Sequence, residues 1–341
     1  MSLFARYRQS HQKDDLDKSI LYYTEAIILL HTQAEPFLNV VETLFHLTLT
    51  LLERSENFKE PEGLKYSIEY LRHLRRFPLD SFDVPRSTVT TSLIRALSTQ
   101  VRLNTGNGTQ DIKEMVVLCK ELLSSNKSDD VPTQVPTATF SYLSEAVTHA
   151  DLTRDFPTEM LDEIIACFRG AVKVCLSGSH AVIYSLAYTL GIRFMQTHSK
   201  GDYEEATVLL ERILEPGGCP DSFRAIPSSL AITLAHGRSV FFQEPEYSEV
   251  AISRLRAASS SPSLDERLRL AFASSLVAQT GIRFREYSLD ENLQEGNSYT
   301  SQLVNASSSS SLAESAELLT WSEAVRETYS ATEIQQKIGA S

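Results

Sequence analysis

Residues that break helices are scarce in this chain. It holds 13 glycines and 12 prolines in 341 residues, few for an all-β protein of this size, and long stretches free of both predict helices. Cysteine is scarcer still. Cys119, Cys167, Cys175 and Cys219 lie scattered with no C-x-x-C between them, a pattern that argues against a disulfide framework. Long apolar runs are missing as well: the longest, "AIILL" at 26–30, falls far short of the roughly 20 residues that span a bilayer. The opening "MSLFARYRQSHQKDD" lacks the apolar segment of a secretory signal. Basic charge is in deficit, with 32 Lys and Arg against 44 Asp and Glu and a net charge of −12. Such a balance repels phosphate backbones, and no basic stripe offsets it. The densest cluster, "LRHLRRF" at 71–77, reads as a solvated helix face with a buried leucine edge. Nucleic-acid and membrane roles are therefore set aside. The expected location is cytoplasmic, where the glycosylation triplets at Asn107, Asn126 and Asn305 are idle.

Reactive constellations are absent too. There is no phosphate-cradling G-x-x-x-x-G-K-[ST] or G-x-G-x-x-G; "NTGNGTQD" at 104–111 has no lysine and reads as a tight turn. No G-x-S-x-G elbow occurs, and "SGSHA" at 177–181 reads as the cap of a helix. Metal sites want close His or Cys pairs, yet the eight histidines are dispersed. Cys167 and Cys175, eight apart, read as small packing residues. No catalytic residue, cofactor or metal is assigned, and the expectation is that this chain is not an enzyme.

What the chain does hold is a repeat. From Leu16, apolar residues follow at Ile20, Tyr23 and Ile27, one stripe on one side of a helix. The same ladder returns as Leu64, Ile68, Leu71; as Ile112, Val116, Cys119, Leu123; and as Leu161, Ile165, Phe168, Val172. Tyr203 leads Leu210 and Leu214, Ser248 leads Ile252 and Leu255, and Leu289 leads Leu293. Successive anchors are 48, 48, 49, 42, 45 and 41 residues apart. An arginine stands ten residues before the anchor in five copies: Arg6, Arg54, Arg102, Arg193 and Arg238. The fourth copy has Asp151 there, and in the last Arg283 stands only six before Leu289. "GIRF" occurs twice, at 191–194 and 281–284.

Between ladders lie further apolar, helix-length segments, such as 37–55, 87–103, 180–199 and 265–284. Each unit thus reads as helix, polar turn, helix, with the breakers in the links. The expected units are roughly 1–35, 36–78, 84–126, 132–176, 178–216, 221–261 and 263–305, followed by a helical segment at 311–338. Acidic residues crowd the starts of the ladder helices, where they suit the helix dipole and can cap free N–H groups. One such unit cannot bury both its apolar faces, whereas stacked neighbours share a continuous core. The expected fold is all-α: an α-solenoid of about seven stacked helix-turn-helix repeats.

The layout resembles the fungal branch of tetratricopeptide-repeat proteins. Leu3-Phe4-Ala5-Arg6-Tyr7 with Leu16-Asp17-Lys18-Ser19-Ile20, and Leu190-Gly191-Ile192-Arg193-Phe194 with Tyr203-Glu204-Glu205-Ala206, carry the resemblance. The step of 41–49 exceeds the 34 of an ordinary unit, so "tetratricopeptide-like" is the fitting description. Many such arrays lie N-terminal to a caspase-like peptidase domain of the CHAT type, which uses a His–Cys dyad. "HGR" at 236–238 resembles a fragment of that site, but every cysteine precedes His236 and Arg238 sits in the repeat register.

The resemblance implies a cytoplasmic, non-catalytic scaffold that holds a peptide or helix of another protein in a groove lined by the helix before each ladder. The alternative is a split or truncated regulatory arm of a CHAT-type peptidase. The repeated arginines have two readings. Each could pair with a carboxylate opening the next helix (Asp14 or Asp15 for Arg6, Asp202 for Arg193), or the column could clamp an acidic peptide. The repeated carboxylates favour the first. Tyr184, Tyr188 and Phe194 read as core. Because Leu3 and Phe4 open the stack where a polar cap is expected, self-association or a partner at that end is a further expectation.

Overall fold

The computed structural model describes residues 3–32, 37–77, 84–125, 137–150, 156–174, 180–215, 217–220, 223–242 and 246–259, with Arg269 and Leu276. The seventh ladder from Leu289, Arg283, the second "GIRF", the segment 311–338, Asp151 and Cys175 lie outside these residues. Among the described residues the secondary structure is helical, with no strand. The helices are α1 (Leu3–Ser10), α2 (Lys13–Thr32), α3 (Phe37–Phe58), α4 (Pro61–Leu74), α5 (Arg86–Arg102), α6 (Gly108–Ser125), α7 (Thr137–His149), α8 (Thr158–Val174), α9 (His180–Thr197), α10 (Lys200–Leu214), α11 (Ala225–Phe242) and α12 (Glu246–Ser259). Within them, none is long and apolar enough to cross a membrane.

The even-numbered helices are the ladders. The anchors Leu16, Leu64, Ile112, Leu161 and Tyr203 are all buried, as are Ile68, Val116, Ile165, Leu71, Cys119, Phe168, Leu210 and Leu255. The residue three after each anchor is also buried throughout: Ser19, Ser67, Met115, Ile164, Ala206 and Ala251. The ladder read from the sequence omitted this position, where Ser19 and Ser67 carry no apolar signal but Met115 and Ile164 do. Ser67 shows why it fits: its hydroxyl donates to the Thr48 carbonyl of α3 at 3.0 Å. Threonines inside apolar stretches, such as Thr48, Thr50 and Thr189, donate to the carbonyl four residues back, so their burial leaves no hydroxyl unsatisfied.

Among the described residues, four turns between an odd and an even helix use one device. His11, Lys59 and His198, each five before its anchor, adopt φ of 53°, 55° and 55°, and Asn104 does so at 52°. This left-handed residue stops the preceding helix and reverses the chain. The His11 and His198 amides donate back to Tyr7 and Phe194 carbonyls, each at 2.7 Å. Pro61 then starts α4 at a position whose N–H needs no partner.

Contacts divide the chain into two compact units, Met1–Ile192 and Arg193–Ser341. In the first, every helix from α1 to α6 packs on the next in sequence, and α3 on α5, α5 on α7 and α6 on α8 pack as alternates. Its core runs through Leu52, Leu64, Leu93, Leu97, Phe140 and Phe168. In the second, α10 packs on α11 and α11 on α12. Phe194 contacts Tyr203, Phe241 and Phe242 there, and Ile232, Ala235, Ala251, Ile252, Leu255 and Leu276 form one apolar cluster.

Candidate functional site

The position just before the anchor supplies the carboxylate partner of the repeated arginine in two copies. In three copies it is an aspartate, Asp15, Asp111 and Asp202, each only 5% exposed. Arg6 donates to Asp15 through Nε at 3.0 Å and through a second, closer nitrogen, and Ser10 Oγ donates to the other carboxylate oxygen at 3.0 Å. The hydrogen bonds from Arg6 hold the Asp15 carboxyl below the usual range. Arg193 makes a two-pronged pair with Asp202 at 2.8 and 2.5 Å. Both pairings had been expected, with Asp15 rather than Asp14 as the partner of Arg6.

Elsewhere the arginine takes other partners. Before Leu64 stands Gly63, where a Cβ would lie 3.3 Å from Ser55 Oγ, and Arg54 reaches Asp17 at 2.8 Å and Glu60 at 2.9 Å. Arg102 turns to Glu145 at 3.7 Å, leaving Asp111 to accept from the Gln100 amide at 3.0 Å. Burial of Asp111, which that amide and Arg72 only partly counter, pushes its carboxyl up. Before Ser248 stands Tyr247, and Arg238 lies 3.8 Å over its ring and 4.6 Å over that of Tyr203. Arg238 and Gly237 are buried in α11, and a Cβ on Gly237 would stand 2.9 Å from Met195 Sδ. The arginine register therefore works inside the structure. The acidic residues at ladder starts serve it too: the cap of α10 is Ser199, not a carboxylate, and Glu60 caps nothing through its side chain but pairs with Lys13 and Arg54.

A second set of polar bonds joins helices one repeat apart. On the odd helices, Arg95 of α5 donates to Glu53 at 3.0 Å and, by two nitrogens, to Glu56 of α3. Burial opposes the charge on Arg95, but Glu56 and Glu53 outweigh it and raise its pKa. Thr91 bonds Thr139 at 3.0 Å, and Ser144 of α7 bonds the Ser185 hydroxyl and the Ala181 carbonyl of α9. On the even helices, Arg72 pairs with Glu114, Arg75 with Glu121 and Lys120 with Glu163. In the second unit Arg254 pairs with Glu211.

Two surfaces of the first unit are open. A cleft of about 760 Å3 lies along α4 and the α5–α6 turn, with Glu62, Lys65, Tyr66, Glu69, Arg72 and Gln100 in its wall. Its charges are of both signs, and its lining holds no serine, cysteine or histidine. The "NTGNGTQD" segment is indeed the turn beside it, where Asn107 Oδ1 accepts the Gln110 amide at 3.3 Å. On α2, Leu21, Tyr22, Ile28 and Leu29 are 55–59% exposed. Tyr184 and Tyr188, expected in the core, stack at 6.0 Å, and burial pushes the Tyr184 hydroxyl up to about 12.

Among the described residues no group of His, Cys, Asp and Glu could hold a metal ion. One juxtaposition escaped the sequence reading: the Cys119 thiol of α6 neighbours that of Cys167 of α8, and this neighbour together with burial raises it. No sequence spacing marks two cysteines 48 residues apart as neighbours; only the repeat step, had it been applied to cysteine, could have paired them. No protein-family model matches the chain, nor does any curated protein or solved structure.

Proposed function

We propose that this chain is a non-catalytic interaction scaffold, a stack of tetratricopeptide-like hairpins that holds a peptide or helix of another protein along the side formed by α3, α5, α7 and α9. The supporting observation is the lateral bonding of these four helices. Glu53 and Glu56 to Arg95, Arg102 to Glu145, Thr91 to Thr139 and Ser144 to Ser185 each join one helix to the next odd one. Such bonds keep neighbouring helices at a fixed spacing, which an extended ligand needs if it is to meet several at once. Thr88, Thr91, Arg95 and Arg102 share one side of α5, and Ala138, Ser141, Glu145 and Thr148 one side of α7, by their spacing of three, four or seven. Arg95 and Arg102 are already paired, so the ligand is read by shape and hydrogen bonding more than by a bare cationic column.

The test is selection of peptides from a displayed library on the full chain, followed by titration. Thr88→Arg and Ala138→Arg, both at exposed positions of that side, are expected to weaken the selected peptides at least about tenfold, or about 1.4 kcal/mol. Ile28→Lys on α2 is expected to leave affinity unchanged. Peptides that bind both groove variants as tightly as the parent would overturn the reading, as would turnover on a substrate panel.

A further inference from the structure

Cys119 and Cys167 occupy nearly the same height in successive repeats, seven residues after Ile112 and six after Leu161. They lie on α6 and α8, which pack directly against each other. The approach is unusually close one turn further along the same contact, where a Cβ on Gly170 would stand 2.9 Å from Leu123 Cδ1. Gly170 follows Cys167 by three residues and Leu123 follows Cys119 by four, so both cysteines and this contact share one interhelical seam. The absence of a side chain at Gly170 leaves the room that the Leu123 side chain fills. Both cysteines are unbridged and at most 1% exposed.

We propose that Cys119 and Cys167 are a reversible disulfide site, closed by a low-molecular-weight disulfide and cross-linking the third and fourth repeats through α6 and α8. The exchange balances in two steps. One cysteine loses its proton and attacks a sulfur of R–S–S–R; that bond breaks and RS− leaves, taking up a proton as RSH. The second cysteine, likewise deprotonated, attacks the protein sulfur of the mixed disulfide and expels the second RSH. The protein pair gives up two electrons and two protons, and one small disulfide becomes two thiols. Because both sulfurs are buried, the reaction runs through opening of the α6–α8 seam and is slow. Closure joins residues 48 apart and restricts the unfolded chain, so the oxidised protein unfolds at higher temperature. The inference does not rest on the binding role.

The experiment uses the full chain and glutathione disulfide as the probe. After long incubation, remaining thiols are alkylated, the protein is digested without reductant and the peptides are weighed. The expected result is a Cys119–Cys167 linked peptide carrying more than half of those two cysteines, two hydrogens lighter than its reduced parts, and abolished by dithiothreitol. The thermal midpoint rises with the link and falls back on reduction, and Cys167→Ser shows neither change. Recovery of both cysteines as alkylated thiols, as separate glutathione adducts, or linked to Cys175 or Cys219 instead would overturn the proposal. Should Cys167→Ser fail to fold, the peptide measurement on the parent chain decides alone.

Discussion

Lys59 sits at φ 55° with an ordinary side chain, in a backbone region that costs an L residue about 1–2 kcal/mol. Glycine escapes that cost but loses about 0.5–1 kcal/mol more entropy on folding. The expected outcome for Lys59→Gly is a gain of about 0.5–1 kcal/mol, read from urea unfolding; Asn104→Gly gains less, since asparagine tolerates that region. A loss of stability in Lys59→Gly would remove the shared-turn account. The aspartates before the anchors give a second, signed expectation. Asp15 has its pKa lowered by Arg6, so its contribution is present above the unfolded carboxylate value and fades as pH falls through the folded one. Asp15→Asn should therefore lower the thermal midpoint near pH 7 and make little difference in strong acid. Asp111 is shifted up, mainly by burial, so its favourable contribution exists below the unfolded value and is lost as pH rises through the folded one. Asp111→Asn, which can still accept from Gln100, should raise the neutral midpoint, with the gain vanishing in acid. Identical responses of the two variants across pH would contradict the distinct environments described.

At the scale of helices, the anchors and most of the ladder stripe of α4, α6 and α8 were legible because burial imposes a 3.6-residue period on apolar residues, whereas Ile20, Tyr23 and Ile27 of α2 are only half-buried. Leu64, Ile68 and Leu71 followed it, and so did Leu161, Ile165 and Phe168. The bonds between alternate helices were not legible. Arg95 and Glu56 lie 39 residues apart, in segments whose relative position no local pattern encodes. Their geometry makes a measurable claim. A double-mutant cycle with Arg95→Met and Glu56→Gln should give a coupling of about 1 kcal/mol, at the upper end for exposed pairs because both side chains are largely covered. Additive effects would mean that α3 and α5 do not meet there in solution.

At the scale of the molecule, the described residues alternate odd and ladder helices, with left-handed turns at His11, Lys59, Asn104 and His198. Some apolar surface stays open, and among the described residues α2 carries four exposed large apolar side chains, Leu21, Tyr22, Ile28 and Leu29. Tyr22→Ser combined with Leu29→Gln should alter unfolding free energy by no more than about 0.5 kcal/mol per site, because both side chains are more than half exposed. The same pair should reduce binding of a hydrophobic dye. A loss of several kcal/mol would show that this face is covered within the folded chain.

The sequence by itself determined the helical class and the buried anchors of the ladder helices, because each follows from local periodicity and the repeat step. It also placed Arg6 with Asp14 or Asp15, of which the structure takes Asp15, and Arg193 with Asp202, pairs nine residues apart across one turn. Only the tertiary structure decided which carboxylate Arg54 and Arg102 take, that Arg238 stacks on Tyr203 and Tyr247, and that Cys119 meets Cys167. Those outcomes depend on how far apart two helices stand when packed. A substitution such as Gly63 for aspartate or Gly170 for a larger residue changes that distance, while the apolar pattern along the chain stays the same.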